Sequence, residues 1–204
     1  MPQEYRQKRG ENGFTLVELM VTLAVMAILA TLAIPSMSSF FDKRRVIAAA
    51  EDLYSNLQQA RSESITRFTP VYLSLSDGNA TAGWQSGSTW QYGISQAAGC
   101  DPTITNNISA NACYLIIDNG DGATNAADDY VLQRYTNNDY SDVTVTAVSD
   151  MEIAFAPQRG TADPATITLQ SANGLQMQLV VSALGQISLC SPAGANHVGG
   201  YKDC

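Results

Sequence analysis

Residues Phe14 to Ile34, FTLVELMVTLAVMAILATLAI, hold a single charge, Glu18, and follow the polar, basic stretch MPQEYRQKRGENG. At 1.5 Å rise per residue such a run covers about 30 Å as a helix, the thickness of one hydrocarbon core. It is longer than the roughly 7 to 15 apolar residues of an ordinary secretory signal, which would be cut near Ala33 and discarded. Glu18 would cost roughly 2 to 3 kcal/mol inside lipid, so a carboxylate in that place is read as functional. The expectation is a segment that is kept.

Charge divides the rest of the chain. Eight basic side chains lie within residues 1–69, whereas beyond residue 70 only Arg134, Arg159 and Lys202 face twelve acids, a net charge of -9 in a chain whose total is -8. A surface that acidic offers no general attraction to nucleic acid or anionic lipid. The single candidate for local attraction near the apolar segment is the run Lys43, Arg44 and Arg45, read as a solvated face at a membrane boundary in preference to a lipid-phosphate site.

The junction Gly13-Phe14-Thr15-Leu16-Val17-Glu18 resembles the leader motif of type IV pilin-like proteins: a short basic leader ending in Gly, then an apolar helix opening on Phe with Glu at its fifth position. The resemblance implies removal of residues 1–13 by a prepilin peptidase, cleavage between Gly13 and Phe14, and N-methylation of Phe14. It also implies that residues 14–40 anchor the chain in the inner membrane and later pack in a filament core with other pilins or pseudopilins. The new amino terminus of a neighbouring subunit is a suitable partner for Glu18, which would then set subunit register. The alternative for Glu18 is a carboxylate that reaches back to the membrane surface.

Pro35 is expected to kink the helix and not to end it, because Val46, Ala50, Leu53, Leu57, Ala60 and Ser64 continue at steps of four and three. Pro70 closes that pattern. Beyond it the period changes to two. Residues 71–76, 151–155 and 175–181 alternate as half-buried strands, and 88–94, 114–118, 130–135, 143–147, 165–169 and 185–189 are further candidates. The fold class is α+β: a long N-terminal helix on a β-rich head spanning 41–204, the head being periplasmic.

Cys100, Cys113, Cys190 and Cys204 make an even set in an exported head, with three connectivities open. Sequential pairing, Cys100 to Cys113 and Cys190 to Cys204, closes two short loops and is the expectation, the second bridge stapling a tail that lacks a strand or helix pattern. Zinc is set aside on spacing. His197, the sole histidine, lies in a Gly-rich tail with no serine elbow or metalloprotease motif, so neither catalysis nor a cofactor is expected. Asp118, Asn119, Asp121 and Asp128 form a weak calcium candidate, against which a simple N-G or D-G hairpin turn between 114 and 130 is preferred.

Within pilin-like proteins the order of features resembles the GspH/FimT group, through the acidic hairpin, Tyr130-Val131-Leu132-Gln133-Arg134, and a late strand pair around Leu179 to Gly185. The resemblance implies a minor pilin of a type IV pilus or, as the nearest alternative, a minor pseudopilin of type II secretion. Some members hold DNA through a G-R-x-R stretch, a second alternative. Here that stretch reads Gly185-Gln186-Ile187-Ser188, so both arginines are missing and DNA is not an expected partner.

Overall fold

The computed structural model describes residues 13–78, 87, 89–121, 125 and 128–204, except for the side chains of 32–36. It divides into two compact units, one ending at Phe40 and the other Phe41–Cys204. Helix α1, Leu16–Arg67, runs through the boundary and is continuous at Pro35.

In the second unit the helix buries one stripe. Val46, Ala50, Leu53, Leu57, Ala60 and Ser64 are all inaccessible, as the four-and-three spacing requires. Burial of Leu53 or Leu57 is worth roughly 1.5 to 3 kcal/mol each. Ser64 is tolerated there because its hydroxyl donates to the Arg61 carbonyl at 2.8 Å. The helix ends at Phe68, whose φ of 53° puts it in the left-handed region that closes helices, and Pro70 follows two residues on.

Ten strands follow: β1 Val71–Ser76, β2 Gln91–Ser95, β3 Tyr114–Ile116, β4 Tyr130–Leu132, β5 Arg134–Thr136, β6 Val143–Val148, β7 Glu152–Phe155, β8 Ala165–Ser171, β9 Gln176–Val181 and β10 Ile187–Cys190. They form one four-stranded sheet in the order β5-β2-β1-β7, a second in the order β10-β9-β8-β6, and the hairpin β3-β4, with every named pair antiparallel. A single apolar cluster joins the helix stripe to both four-stranded sheets, through Leu73 and Ile153 of the first and Ile167 and Leu179 of the second. The result is an α+β head, as the change of period implies.

Three details depart from the sequence reading. Strand β1 is not half-buried: Ser74 and Ser76 are buried along with Val71, Leu73 and Leu75, because β1 is central in its sheet. Ser74 remains satisfied by donating to Glu152 Oε2 at 3.0 Å. The run 130–135 is two strands, since Gln133 donates to the Cys113 carbonyl while its own carbonyl accepts from Ile94, handing the chain from β3 to β2. Gly185 belongs to the turn before β10, at φ 71°.

Glycine in the interior of β2 has a packing reason. A Cβ on Gly93 would collide with Sγ of Cys113, so the first disulfide lies directly over the strand.

Candidate assembly site

The helix opens with a cap. Gly13, Phe14 and Thr15 are not helical, and Thr15 Oγ1 accepts from the Glu18 amide at 3.2 Å. Thr15 and Glu18 therefore stand at the two positions of a capping box, Thr-x-x-Glu. That role for Thr15 was readable from the spacing and was missed. Glu18 lies in the first turn, where the helix dipole favours an anion. Around it Phe14, Leu16, Val17, Leu19, Met20 and Val21 are exposed, Phe14 at 81%. An apolar surface of that kind has no partner among the described residues of its own unit, and it calls for a cover from outside them.

Among the described residues no helix presents a stretch long and apolar enough to cross a membrane. The described apolar side chains of α1 run over 16–31, about 24 Å of axis, which falls short of the roughly 30 Å of a hydrocarbon core. The remaining residues of the run, 32–34, have side chains outside the description.

Two members of the basic run 43–45 tie the helix to the head. Lys43 Nζ donates to the Gly199 carbonyl at 2.8 Å, and Arg45 pairs with Asp142 at 2.8 Å. Asp42 accepts from Asn173, and Glu51 accepts from Tyr201 Oη at 2.6 Å. These ties fasten the helix to the C-terminal tail and to the turns before β6 and β9. The tail is also pinned internally: Ser191 Oγ donates to the Gln176 carbonyl at 2.7 Å and accepts from the Val198 amide at 2.8 Å. Cys190 and Cys204 are bridged, as are Cys100 and Cys113. The tail is therefore held at many points, not by its disulfide alone.

A second polar knot lies under the helix. Asn56 Nδ2 donates to Tyr92 Oη at 3.0 Å, Tyr92 Oη lies 3.4 Å from Asp52 Oδ2, and Trp90, Tyr92, Tyr135 and Tyr140 stack alongside. Burial first, and the Asp52 carboxylate second, push the phenols of Tyr92 and Tyr135 up and that of Tyr140 up to about 12. At the tail, burial and the hydrogen bond to Glu51 raise Tyr201 to about 12 as well. All four are held neutral, which suits a structural role and leaves no phenolate for chemistry.

The described residues of the acidic stretch bond to one another. Asp118 Oδ1 accepts from the Gly120 amide at 2.7 Å, Asn119 Oδ1 from the Asp121 amide at 2.9 Å, and Asn119 Nδ2 donates to Asp128 at 2.9 Å. Asp129, fully buried, accepts from the amides of Asn119 and Asn125 at 3.1 and 2.8 Å. These are turns closed by Asn and Asp side chains. Among the described residues no group of three or more His, Cys, Asp or Glu is placed to hold a metal ion. His197 Nδ1 is shielded from water and stands 3.3 Å from Asp203, an ion contact if the ring is protonated but not a hydrogen bond. Arg134 is likewise occupied, donating to the Pro102 carbonyl and to Gln91.

The profile of the type II transport protein GspH family matches residues 49–185. The chain belongs to the GspH family. The prokaryotic N-terminal methylation motif matches residues 8–34, the leader junction and apolar run. A curated relative, type II secretion system core protein G of Pseudomonas aeruginosa, is 40% identical over 47 residues, which is 23% of this chain and 33% of that protein. The chain thus spans about a third of the length of that relative. Two crystal structures of the type IV minor pilin FimU of Pseudomonas aeruginosa are 16% identical, with TM-scores of 0.45 and 0.41 over 76% and 72% of this chain and 98% and 97% of theirs. With the GspH profile and the N-terminal methylation motif together, the chain is a type IV pilin-like protein of the GspH/FimT group.

Proposed function

We propose that this GspH-family chain is a minor pilin, a non-catalytic subunit that takes part in starting a type IV pilus. In this reading a prepilin peptidase removes residues 1–13, Phe14 becomes the N-methylated terminus, and residues 14–40 hold the chain in the inner membrane with the head 41–204 in the periplasm. Withdrawal into a filament then covers the apolar helix, and Glu18 meets the Phe14 amine of a neighbouring subunit. The observation that supports this most directly is the exposed apolar helix carrying one carboxylate in its capped first turn, within the matched methylation motif. A minor pseudopilin of type II secretion is the second reading, favoured by the family's description and by the relatedness to secretion protein G.

The test uses Glu18→Ala and Gly13→Val in the native host. Glu18→Ala is expected to leave membrane insertion intact and to lower recovery of the chain in sheared filaments, and Gly13→Val to leave the precursor at full size. Normal incorporation of Glu18→Ala would overturn the register role. Deletion of the chain separates the two readings: fewer surface pili support the first, and retention of a secreted enzyme in the periplasm supports the second.

A further inference from the structure

Hairpin β3-β4 stands outside both four-stranded sheets and is short, Tyr114–Ile116 against Tyr130–Leu132. A two-stranded ribbon is marginally stable in water by itself. This one is fastened covalently at its base, where Cys113 is bridged to Cys100 and its carbonyl accepts from the Gln133 amide. The other end, where Ile116 faces Tyr130, is held by noncovalent bonds, among them that of Arg67 to the Ile116 carbonyl.

The register sets Tyr114 opposite Leu132 and Tyr130 opposite Ile116, so the two tyrosines share one face of the hairpin on a diagonal. Their ring centroids lie 4.1 Å apart, with the planes 10° from parallel. That is closer than the roughly 4.5 to 7 Å usual for aromatic pairs. Burial first, and then the Tyr130 hydroxyl beside it, push the Tyr114 phenol up. The two hydroxyls are thus neighbours, and so are the ortho ring carbons that flank them.

Other stacked tyrosines differ. The rings of Tyr92 and Tyr135 are 5.0 Å apart, but Tyr92 is buried under α1 and its hydroxyl is taken by Asn56. Tyr140 stacks on Trp90 in place of a second phenol. Tyr114 and Tyr130 are each half-buried, so a reagent in the solvent reaches their rings. Among the described residues no hydrogen bond ties either hydroxyl to a residue outside the pair. All four cysteines are paired, so the chain carries no thiol to reduce a phenoxyl radical, and paired cysteines belong to oxidising surroundings.

We propose that Tyr114 and Tyr130 are an oxidative modification site, at which a one-electron oxidant with a peroxide as terminal acceptor joins the two rings into a dityrosine bridge across the hairpin. Each phenol gives up one electron and one proton, and the peroxide takes up both electrons and both protons as its O–O bond breaks. The two phenoxyl radicals form one bond between ortho carbons. The hydrogens displaced from those carbons return to the oxygens, so both phenols are restored and the chain has lost two hydrogen atoms. The bridge closes the end of β3-β4 that the disulfide leaves open. It goes beyond the assembly function and does not depend on it.

The detergent-solubilised full chain, at high dilution, is illuminated with tris(bipyridyl)ruthenium and persulfate, whose O–O bond makes it the peroxide. The expected product is a monomer lighter by two hydrogen atoms with dityrosine fluorescence. After reduction of the disulfides, cleavage before aspartate should release fragment 101–117 joined to fragment 129–138. Tyr114→Phe and Tyr130→Phe should each abolish that joined product, whereas Tyr135→Phe, in the same fragment as Tyr130, should leave it unchanged. In concentrated urea the yield should fall about tenfold, because the two rings then meet only by closing a flexible loop. Dityrosine found only between chains, or mapped to another pair, would overturn the proposal. So would a joined product that persists in Tyr114→Phe, a yield unchanged in urea, or no bridge at all.

Discussion

Gly185 and Gly160 meet backbone to backbone, with the place a Cβ would take on Gly185 occupied by the Gly160 carbonyl oxygen. Both have positive φ, 71° and 59°. The contact joins the β9–β10 turn to the turn after β7, and so ties one four-stranded sheet to the other. Gly185→Ala must both strain the backbone and push the two turns apart, for a loss of about 3 kcal/mol or more. Gly99, at φ 70° with open space around its Cβ position, is the control. Gly99→Ala should cost only about 1 kcal/mol. Thermal unfolding of the full chain in detergent compares the two, and equal losses would show that the close approach does not matter.

Phe68 is expected to answer oppositely. Phe68→Gly relieves a left-handed residue and removes a ring that is 80% exposed, so it should stabilise the chain by up to about 1 kcal/mol. The same melts check the sign. A loss of stability would mean that the ring packs against the head.

Much of this architecture was legible beforehand. The steps of four and three from Val46 to Ser64 placed the buried stripe, because a helix face repeats over seven residues whatever it packs on. The strand positions followed from period two. What could not be read is where one strand ends up against several others. Residues 130–135 read as one candidate strand, and the bonds of Gln133 to Cys113 and Ile94 divide it. Lys43 and Arg45 looked solvated because their partners, Gly199 and Asp142, lie far away in sequence. At the leader junction Glu18 was singled out and Thr15 was not, although the Thr-x-x-Glu spacing carried the cap.

Four buried or partly buried phenols predict behaviour in alkali. Tyr92, Tyr135, Tyr140 and Tyr201 all have raised pKa values, Tyr140 and Tyr201 at about 12. In the unfolded chain a phenol titrates near 10, so the folded state binds more protons above that pH. Their contribution is therefore fully present below about pH 10 and is lost as pH rises through about 12. Melting temperature should be insensitive to these groups at neutral pH and fall steeply between those limits, with tyrosinate absorbance rising as the fold is lost. Tyr140→Phe should blunt the fall, since it removes one of the phenols held beside Asp52. A melting temperature unchanged up to pH 12 would contradict the buried cluster.

Nucleic acid gives the last expectation, and the structure sharpens it. Each phosphate contact by Lys or Arg adds about one unit to the slope of log affinity against log salt, so a grip on DNA needs several cations on one surface. Beyond residue 70 there are three, and Arg134 is already bound to Pro102 and Gln91 within the head. Arg159 lies in the turn after β7, whereas Lys202 lies in the tail fastened by Cys190 to Cys204. At the turn where related chains carry G-R-x-R, Gln186 and Ser188 stand instead, and Leu184 offers an apolar surface to the solvent. Titration of the detergent-solubilised chain with duplex DNA at physiological salt should show no binding tighter than about 10⁻⁴ M, the weak end of non-specific association. A micromolar complex that weakens with added salt would contradict this expectation.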